Sequence, residues 1–370
     1  MNGNFTSTPL EDIIGEIRRK CDLCYLDNAA MSLPLGQVVE AVHSFHVMRQ
    51  EKGPDFLTWW KRTDDLRSLI ARKIGGDSDE IAILHNTSMG VNLAANAIPF
   101  APGDNVIITD SEFPSNAYPW FNLEARGVEV RVVANKNGRF RLEDFASAID
   151  KHTKAVSVSW VMAGTGAVVD IKKLGALCKD LGVIFVVDAI QGLGVLDFPK
   201  GCADIVVSGF YKWLQGTDGL AFAYVKRELY PYLKVPFAGF AGVKEKFNYD
   251  GYHFELVEEA RRFETGNMNF SGIHGSAVAM ELLENHQMEI TNRVQGLTRL
   301  VRKKASEKGL TVFTPEEEPI SGITLLTGTG LTAKQLREKG IIVNERKGIR
   351  ISPNYYNNEE DIERLFEVLT

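Results

Sequence analysis

Basic residues are too few in this chain for a nucleic-acid binder. Its 370 residues set 42 Lys and Arg against 48 Asp and Glu, a net charge of −6, whereas a nucleic-acid surface needs a basic patch or stripe. No run approaches the roughly 18 apolar residues that a membrane-spanning helix requires. The opening MNGNFTSTPLEDIIGEIRR has no basic segment followed by an apolar one. It does not read as a secretory signal, so a cytoplasmic location is expected. Cysteine is scarce, four in all. Cys21 and Cys24 form a C-x-x-C pair, but no second pair or histidine cluster completes the four ligands of a zinc site, and no metal is expected. The pair also precedes a strand-like run, where a redox pair would open a helix. Cys178 lies in a helical pattern and reads as core. Repeats and low-complexity stretches are absent. What remains is an ordinary globular composition, 44% hydrophobic and 24% charged, long enough for one large and one small domain.

Within that frame the stretch 183–219, VIFVVDAIQGLGVLDFPKGCADIVVSGFYKWLQGTDG, carries the chemistry. Its β-branched runs 183–187 and 205–207 read as strands buried on both faces, the habit of a parallel sheet. Asp188 ends the first run and Lys212 follows the second, 24 residues on. Ligands of such sheets collect beyond the carboxyl ends of the strands. The topology therefore brings this acid and this amine together. The pair suits a cofactor with a basic ring nitrogen and an aldehyde, as pyridoxal phosphate has. A strand-ending aspartate and a surface lysine are the plainer account of the same two residues.

Strands and helices alternate on both sides of that stretch. Thr8-Pro9-Leu10-Glu11 has the order of a capping box opening a helix that runs to about Lys20. Runs at 81–84, 106–108, 128–133 and 155–161 read as further strands. Helical patterns follow Ser88, cover 142–149, and extend from a cap at Asp170 to about Leu181. This is the doubly wound α/β pattern. Near Leu283 the character changes to a long amphipathic helix that stops at Gly309. Strand-like runs at 310–313, 322–326, 341–344 and 349–352 and a last helix from about Asn358 complete the chain. We therefore expect an N-terminal helix (1–20) packing on the small domain, a large mainly parallel-sheet domain (21–282) and a small α+β domain (283–370).

Thr87 and Ser88 stand where a helix begins. Free backbone N–H groups and the helix dipole there hold a phosphate, although plain helix capping accounts equally well for one hydroxyl. Other motifs are Tyr25-Leu26-Asp27-Asn28-Ala29-Ala30, Glu112-Phe113-Pro114-Ser115-Asn116 and Asp188-Ala189-Ile190-Gln191. Ser208 with Lys212-Trp213-Leu214, the run Phe263-Glu264-Thr265-Gly266-Asn267-Met268-Asn269, and Arg350-Ile351-Ser352 with Tyr356-Asn357 follow. In this order they resemble the class V aminotransferase group of fold type I pyridoxal phosphate (PLP) enzymes. That group includes cysteine desulfurases, selenocysteine lyases, kynureninase and isopenicillin N epimerase-like proteins.

The resemblance implies a fold type I α/β architecture, PLP as cofactor, an amino acid as substrate and a homodimer with shared active sites. It also implies roles for single residues. Lys212 forms the Schiff base and then moves protons, and Asp188 partners the pyridinium nitrogen. Thr87, Ser88 and Tyr211 hold the phosphate, together with Asn267 from the neighbouring subunit. Phe113 stacks on one face of the ring. Ile190, on the same strand face as Asp188 by period two, packs on the other, and Gln191 tunes the ring oxygen. Arg350 anchors the substrate carboxylate, a task for a planar bidentate donor, with Asn28 beside the substrate. A core phenylalanine and a surface arginine are the plainer readings of Phe113 and Arg350.

The chain also departs from the desulfurase pattern. Phe113 replaces a histidine, Ser208 sits one place early, and 215–219 lacks the proline of the family's turn. From Lys212 to the C-terminus there is no cysteine, which removes the desulfurase nucleophile. The expectation is a class V aminotransferase, with a C–S or C–Se lyase or an epimerase as the alternative. A PLP-fold sensor or scaffold would lose the lysine or gain a basic head, and neither is seen.

Overall fold

The computed structural model describes residues 8–316 and 319–369; residues 1–7 of the first expected segment lie outside it. In chain order the main elements begin with α1 (Leu10–Lys20), β1 (Cys24–Tyr25), α2 (Gly36–Lys52), α3 (Phe56–Ile74), β2 (Ile81–Leu84) and α4 (Thr87–Ala97). Next come β3 (Asn105–Thr109), α5 (Tyr118–Phe121), β4 (Glu129–Val133), α6 (Leu142–Ala148), β5 (Thr153–Ser159) and α7 (Ile171–Asp180). They are followed by β6 (Ile184–Asp188), β7 (Ile205–Gly209), β8 (Ala221–Val225) and α8 (Phe270–Glu307). The chain closes with β9 (Thr311–Val312), β10 (Thr324–Thr327), α9 (Ala333–Glu338), β11 (Ile341–Ile342), β12 (Asn344–Glu345), β13 (Ile349–Ile351) and α10 (Glu359–Val368).

Seven strands form the main sheet in the order β2-β8-β7-β6-β5-β3-β4. From β7 to β4 every pairing is parallel, and β8 runs antiparallel to both its neighbours. Strands β3, β5, β6 and β7 are buried almost throughout, with helices on both faces, which is why they read as unbroken apolar runs. Two large apolar clusters lie against the sheet, one containing Phe185, Val187 and Val206, the other Val106, Val186 and Val207. These neighbours on one strand split between the clusters, as side chains alternating across a sheet must.

A four-stranded antiparallel sheet, β12-β13-β10-β9, forms with α8 and α10 a third cluster of its own. Cys24 and Leu26 belong to this cluster, because β1 pairs in parallel with β11. Helix α1 spans both parts. Its Leu10, Ile13, Ile14 and Ile17 join the large cluster, while Arg18 donates to Asp361 at 2.9 Å and Glu11 meets Arg293 at 3.4 Å.

Two local expectations need correction. The hydroxyl cap at Thr8 does not form: α1 starts at Leu10 with Pro9 as its flanking residue, so Thr8 stands one place too far out. The long helix begins at Phe270, not near Leu283, and is 38 residues long, with the Asn269 side chain accepting from Gly272 N–H.

One buried ion pair ties the large part together. Arg67 on α3 forks onto Glu264 at 2.6 and 2.8 Å, and the Ile83 N–H also donates to Glu264 at 2.8 Å. The side chains are 3% and 0% exposed. Arg67→Met should therefore strand a buried carboxylate and lower stability by about 3–5 kcal/mol, read by denaturant unfolding. Adding Glu264→Gln should recover part of the loss; equal stability of Arg67→Met and the native chain would show that the pair contributes nothing.

Candidate active site

Because β2 and β7 both oppose β8, the carboxyl ends of β2, β3, β5, β6 and β7 open onto one edge of the sheet. A cavity lies there. Thr87 and Ser88, which follow β2, and Phe113, which follows β3, line it. Asp188, which ends β6, and Ile190, Gln191, Tyr211 and Lys212, which follow β6 and β7, line it as well. Asn86, Ser115, Ser159 and Ala163 complete the lining; none of these four was given a role from the sequence, though Ser115 was quoted in a motif. The acid and the amine thus meet as the parallel topology requires.

Lys212 is 8% exposed. Burial pulls its amine down to about 8; the charge of Asp188 opposes that shift, and Arg350 and Arg346 add to it. Its Nζ lies 5.8 Å from the centre of the Phe113 ring and 5.7 Å from that of Tyr211. Asp188 is 3% exposed, and burial raises its carboxyl to about 6 against the Ile190 N–H, which donates at 3.0 Å, and the charge of Lys212. Both shifts come first from desolvation, which disfavours charge on acid and amine alike.

The first turn of α4 fits a phosphate. Asn86 caps the helix, its side chain accepting from Met89 N–H at 2.9 Å. Thr87 is thereby released from capping: its hydroxyl is buried and has no hydrogen-bond partner, a state that costs free energy unless a ligand completes it. Ser88 donates to Ser115 at 2.7 Å. A Cβ on Gly209 would lie 3.2 Å from both Thr87 Oγ1 and Ile190 Cδ1, so glycine at the end of β7 keeps this seat open.

Ile190 reaches the cavity by a different route from the one expected. Strand β6 ends at Asp188, so strand periodicity does not apply to Ile190. It sits in the following turn and is aimed by its own N–H, which donates to Asp188. Gln191 is firmly held: its amide donates to Ala29 O at 2.8 Å and its carbonyl accepts from Trp213 Nε1 at 2.8 Å. Glu112, quoted in a motif but given no role, is half-buried beside Phe113. It accepts from Ser159 N–H and Oγ, from Asn116 Nδ2 and from Thr109 Oγ1. Burial pushes its carboxyl up to about 7 against those hydrogen bonds. These contacts fix the backbone that carries Phe113, which is 43% exposed and so no core residue.

Arg350 is only 1% exposed, which rules out a surface arginine. It stands one layer behind the cavity wall, donating to the Ala163 carbonyl at 2.8 Å and to Asp27 at 2.9 Å, with its Nε unpartnered. Burial lowers its pKa, opposed by Asp27. Asn28 does not line the cavity. Its amide donates to Ser352 O at 2.8 Å and accepts from the Tyr356 hydroxyl, so it fastens 25–30 to 352–356 from a fully buried position. Asn267 is exposed on the loop before α8 and does not line the cavity of its own chain. Among the described residues no group of His, Cys, Asp and Glu is arranged to hold a metal ion, and no helix is long and apolar enough to cross a membrane.

Pyridoxal phosphate asks for an amine, an acid and a phosphate seat within one small space. Lys212, Asp188 and the open hydroxyl of Thr87 meet that demand on a doubly wound sheet, and the chain is a fold type I PLP-dependent enzyme acting on an amino acid. It belongs to the aminotransferase class-V family, whose profile matches residues 24–365. Over 97% of its length it is 27% identical to a probable cysteine desulfurase of Methanothermobacter thermautotrophicus, 97% of which is covered. Over 89% it is 28% identical to an uncharacterized aminotransferase, YcbU, of Bacillus subtilis, again 89% covered. The apo structure of a cysteine desulfurase from Thermococcus onnurineus NA1 matches at a TM-score of 0.89 and 25% identity, over 98% of this chain and 97% of that one.

Proposed function

We propose that the protein is an aminotransferase, and one observation carries this reading: no thiol reaches the active site. None of Cys21, Cys24, Cys178 and Cys202 lines the cavity. Burial raises Cys24, Cys178 and Cys202 to about 12. A desulfurase attacks its substrate's sulfur with a thiolate, and these three are protonated at neutral pH. The relatives named as probable cysteine desulfurases support the second reading, a C–S lyase that works without such a cysteine.

When bound, the cofactor supplies an electrophilic carbon for the amino group and a sink for the charge left at the substrate Cα. In the proposal Lys212 holds it and moves the proton at Cα. Asp188 keeps a proton at the ring nitrogen, and Thr87, Ser88 and Tyr211 donate to the phosphate. Phe113 and Ile190 cover the two faces and keep water out, and the free N–H of Gln191 donates to the ring oxygen. Arg350 orients the substrate carboxylate, with Asn28 acting behind it as a positioning residue. Asn267 is assigned to the phosphate of a second copy of the chain, so that a homodimer with shared sites is the working form. The division into 1–20, 21–282 and 283–370 and a cytoplasmic setting belong to the same proposal.

The test is a panel of single amino acids read by absorbance, with sulfide, alanine and persulfide measured for cysteine. An amino donor should bleach the visible band and release an oxoacid, and an added oxoacid should restore it. Cysteine should give no alanine and no protein-bound persulfide at a catalytic rate. Sulfide with pyruvate and ammonia, but without persulfide, would establish the lyase instead.

A further inference from the structure

We propose that Trp213 is a positioning residue for the cofactor: its indole N–H, acting through the side-chain amide of Gln191, sets how strongly that amide donates to the ring oxygen. The inference rests on the PLP reading above and deepens it, by adding the residue that governs one of the assigned contacts.

The geometry is a short relay with one direction. Gln191 lies in the turn after β6, lines the cavity and is 2% exposed. Its carbonyl accepts from Trp213 Nε1 at 2.8 Å, and its amide nitrogen donates to Ala29 O at 2.8 Å. Both partners are one-way, since an indole N–H only donates and a peptide carbonyl only accepts. Turning the amide over would set N–H against N–H and oxygen against oxygen. Ala29, Gln191 and Trp213 are all buried, so the unpaired groups would bear the full cost of desolvation. The amide is thereby fixed, and its second N–H is the donor it has left. A carbonyl that accepts a hydrogen bond also polarises its own amide and strengthens donation from the nitrogen. Trp213 thus both holds and activates the amide assigned to the ring oxygen.

The indole is itself held from two sides. A Cβ on Gly322, just before β10, would come within 2.4 Å of its ring, and one on Gly194 within 2.4 Å of the Trp213 carbonyl. Such close backbone approach leaves the ring no room to swing away from Gln191. Trp213 also follows Lys212 directly in the chain. The lysine assigned to the cofactor and the tryptophan that orders the amide therefore share one stretch of backbone.

The experiment reads the pH at which the visible band of the holoenzyme changes. A donor at the ring oxygen stabilises negative charge there and loosens the proton that this oxygen shares with the Lys212 nitrogen, so losing the donor moves the titration to higher pH. Trp213→Phe should raise the midpoint by roughly 0.5 to 1 unit, the worth of one neutral hydrogen bond. Phe also leaves space behind it. A second protein therefore carries benzothienylalanine at position 213, whose sulfur replaces the N–H at nearly unchanged shape, and it should show the same shift. Gln191→Leu should raise the midpoint at least as far. Adding Trp213→Phe to Gln191→Leu should then change nothing further, since the tryptophan acts through the amide. An unmoved midpoint in the benzothienylalanine protein, or a Trp213→Phe shift that persists in the Gln191→Leu background, would overturn the proposal. Failure of the PLP reading would show separately, as the absence of a borohydride-fixed pyridoxyl label on Lys212. The relay would still be readable in cofactor-free protein by NMR: the Trp213 indole N–H should exchange slowly with solvent and lose that protection in Gln191→Leu, and equal exchange in the two would count against it.

Discussion

Lys212→Ala is expected to reduce turnover by on the order of 10⁴ or more, the upper range for losing a positioned proton-transfer group, with the attachment point lost as well. The argument starts from burial. At pH 7.5 an amine near 8 is about one quarter neutral, whereas an unperturbed lysine is neutral in roughly one molecule in a thousand. Only the neutral amine attacks a carbonyl carbon. Loading of cofactor-free protein with pyridoxal phosphate should accordingly speed up as pH rises from 6 to 8 and level off above that. A pKa lowered by desolvation fixes this direction: raising the pH through the shifted value frees the nucleophile. The checks are kcat for the best donor from the panel, the visible band, and peptide mapping after borohydride treatment. A pyridoxyl label on any other lysine, or an unchanged kcat, would remove Lys212 from the mechanism.

Asp188→Ala should leave the cofactor in place and lower kcat by on the order of 10² to 10³, equivalent to about 3–4 kcal/mol of lost electrostatic stabilisation. Asp188 is buried at the end of the central strand, and its pKa of about 6 refers to a carboxyl facing only Lys212 and the Ile190 N–H. A cation placed against it favours the ionised form, so in the proposed role the acid would be charged at pH 7 and would hold a proton on the ring nitrogen of the bound cofactor. Without it that proton is lost and charge at Cα is poorly stabilised. The expected pattern is a fall in kcat with little change in KM, the mark of an interaction made in the transition state. Full turnover in Asp188→Ala would mean that another acid serves the ring.

The convergence of Thr87, Asp188 and Lys212 on one cavity was legible because its parts are local. A strand ending in Asp188, a glycine-ended strand before Lys212 and hydroxyls opening a helix at Thr87 each sit beside the element that aims them. Long-range partners leave no such mark. Asp27 was read as one letter of a motif, and nothing near it shows that it faces Arg350, 323 residues away. Glu112 was likewise quoted without a role, since the Ser159 contacts that hold it come from another strand. Ile190 does line the cavity, but not through strand periodicity, as the strand had already ended. The first 13 residues of α8 escaped because SGIHGSAV is made mostly of glycine, serine and β-branched residues, which are weak helix formers. Close packing outweighs propensity there: a Cβ on Gly275 would come within 2.9 Å of Val42. Strand β8 was missed altogether, its A-F-A-Y-V run being short, although Asp218-Gly219 marks a turn just before it.

The pairing of β1 with β11 bears on how the protein is made. During synthesis at about 5–20 residues per second, β1 waits roughly a quarter of a minute to a minute for the strand it needs. Through that interval Cys24 and Leu26, fully covered in the finished molecule, lie bare, and such unpaired edges invite association with other chains. The seat for the cofactor phosphate and its lysine can be assembled from residues already translated, but Asp27 has no guanidinium until Arg350 arrives. A chain halted before that point would thus hold the means of reaction without the means of choosing what reacts.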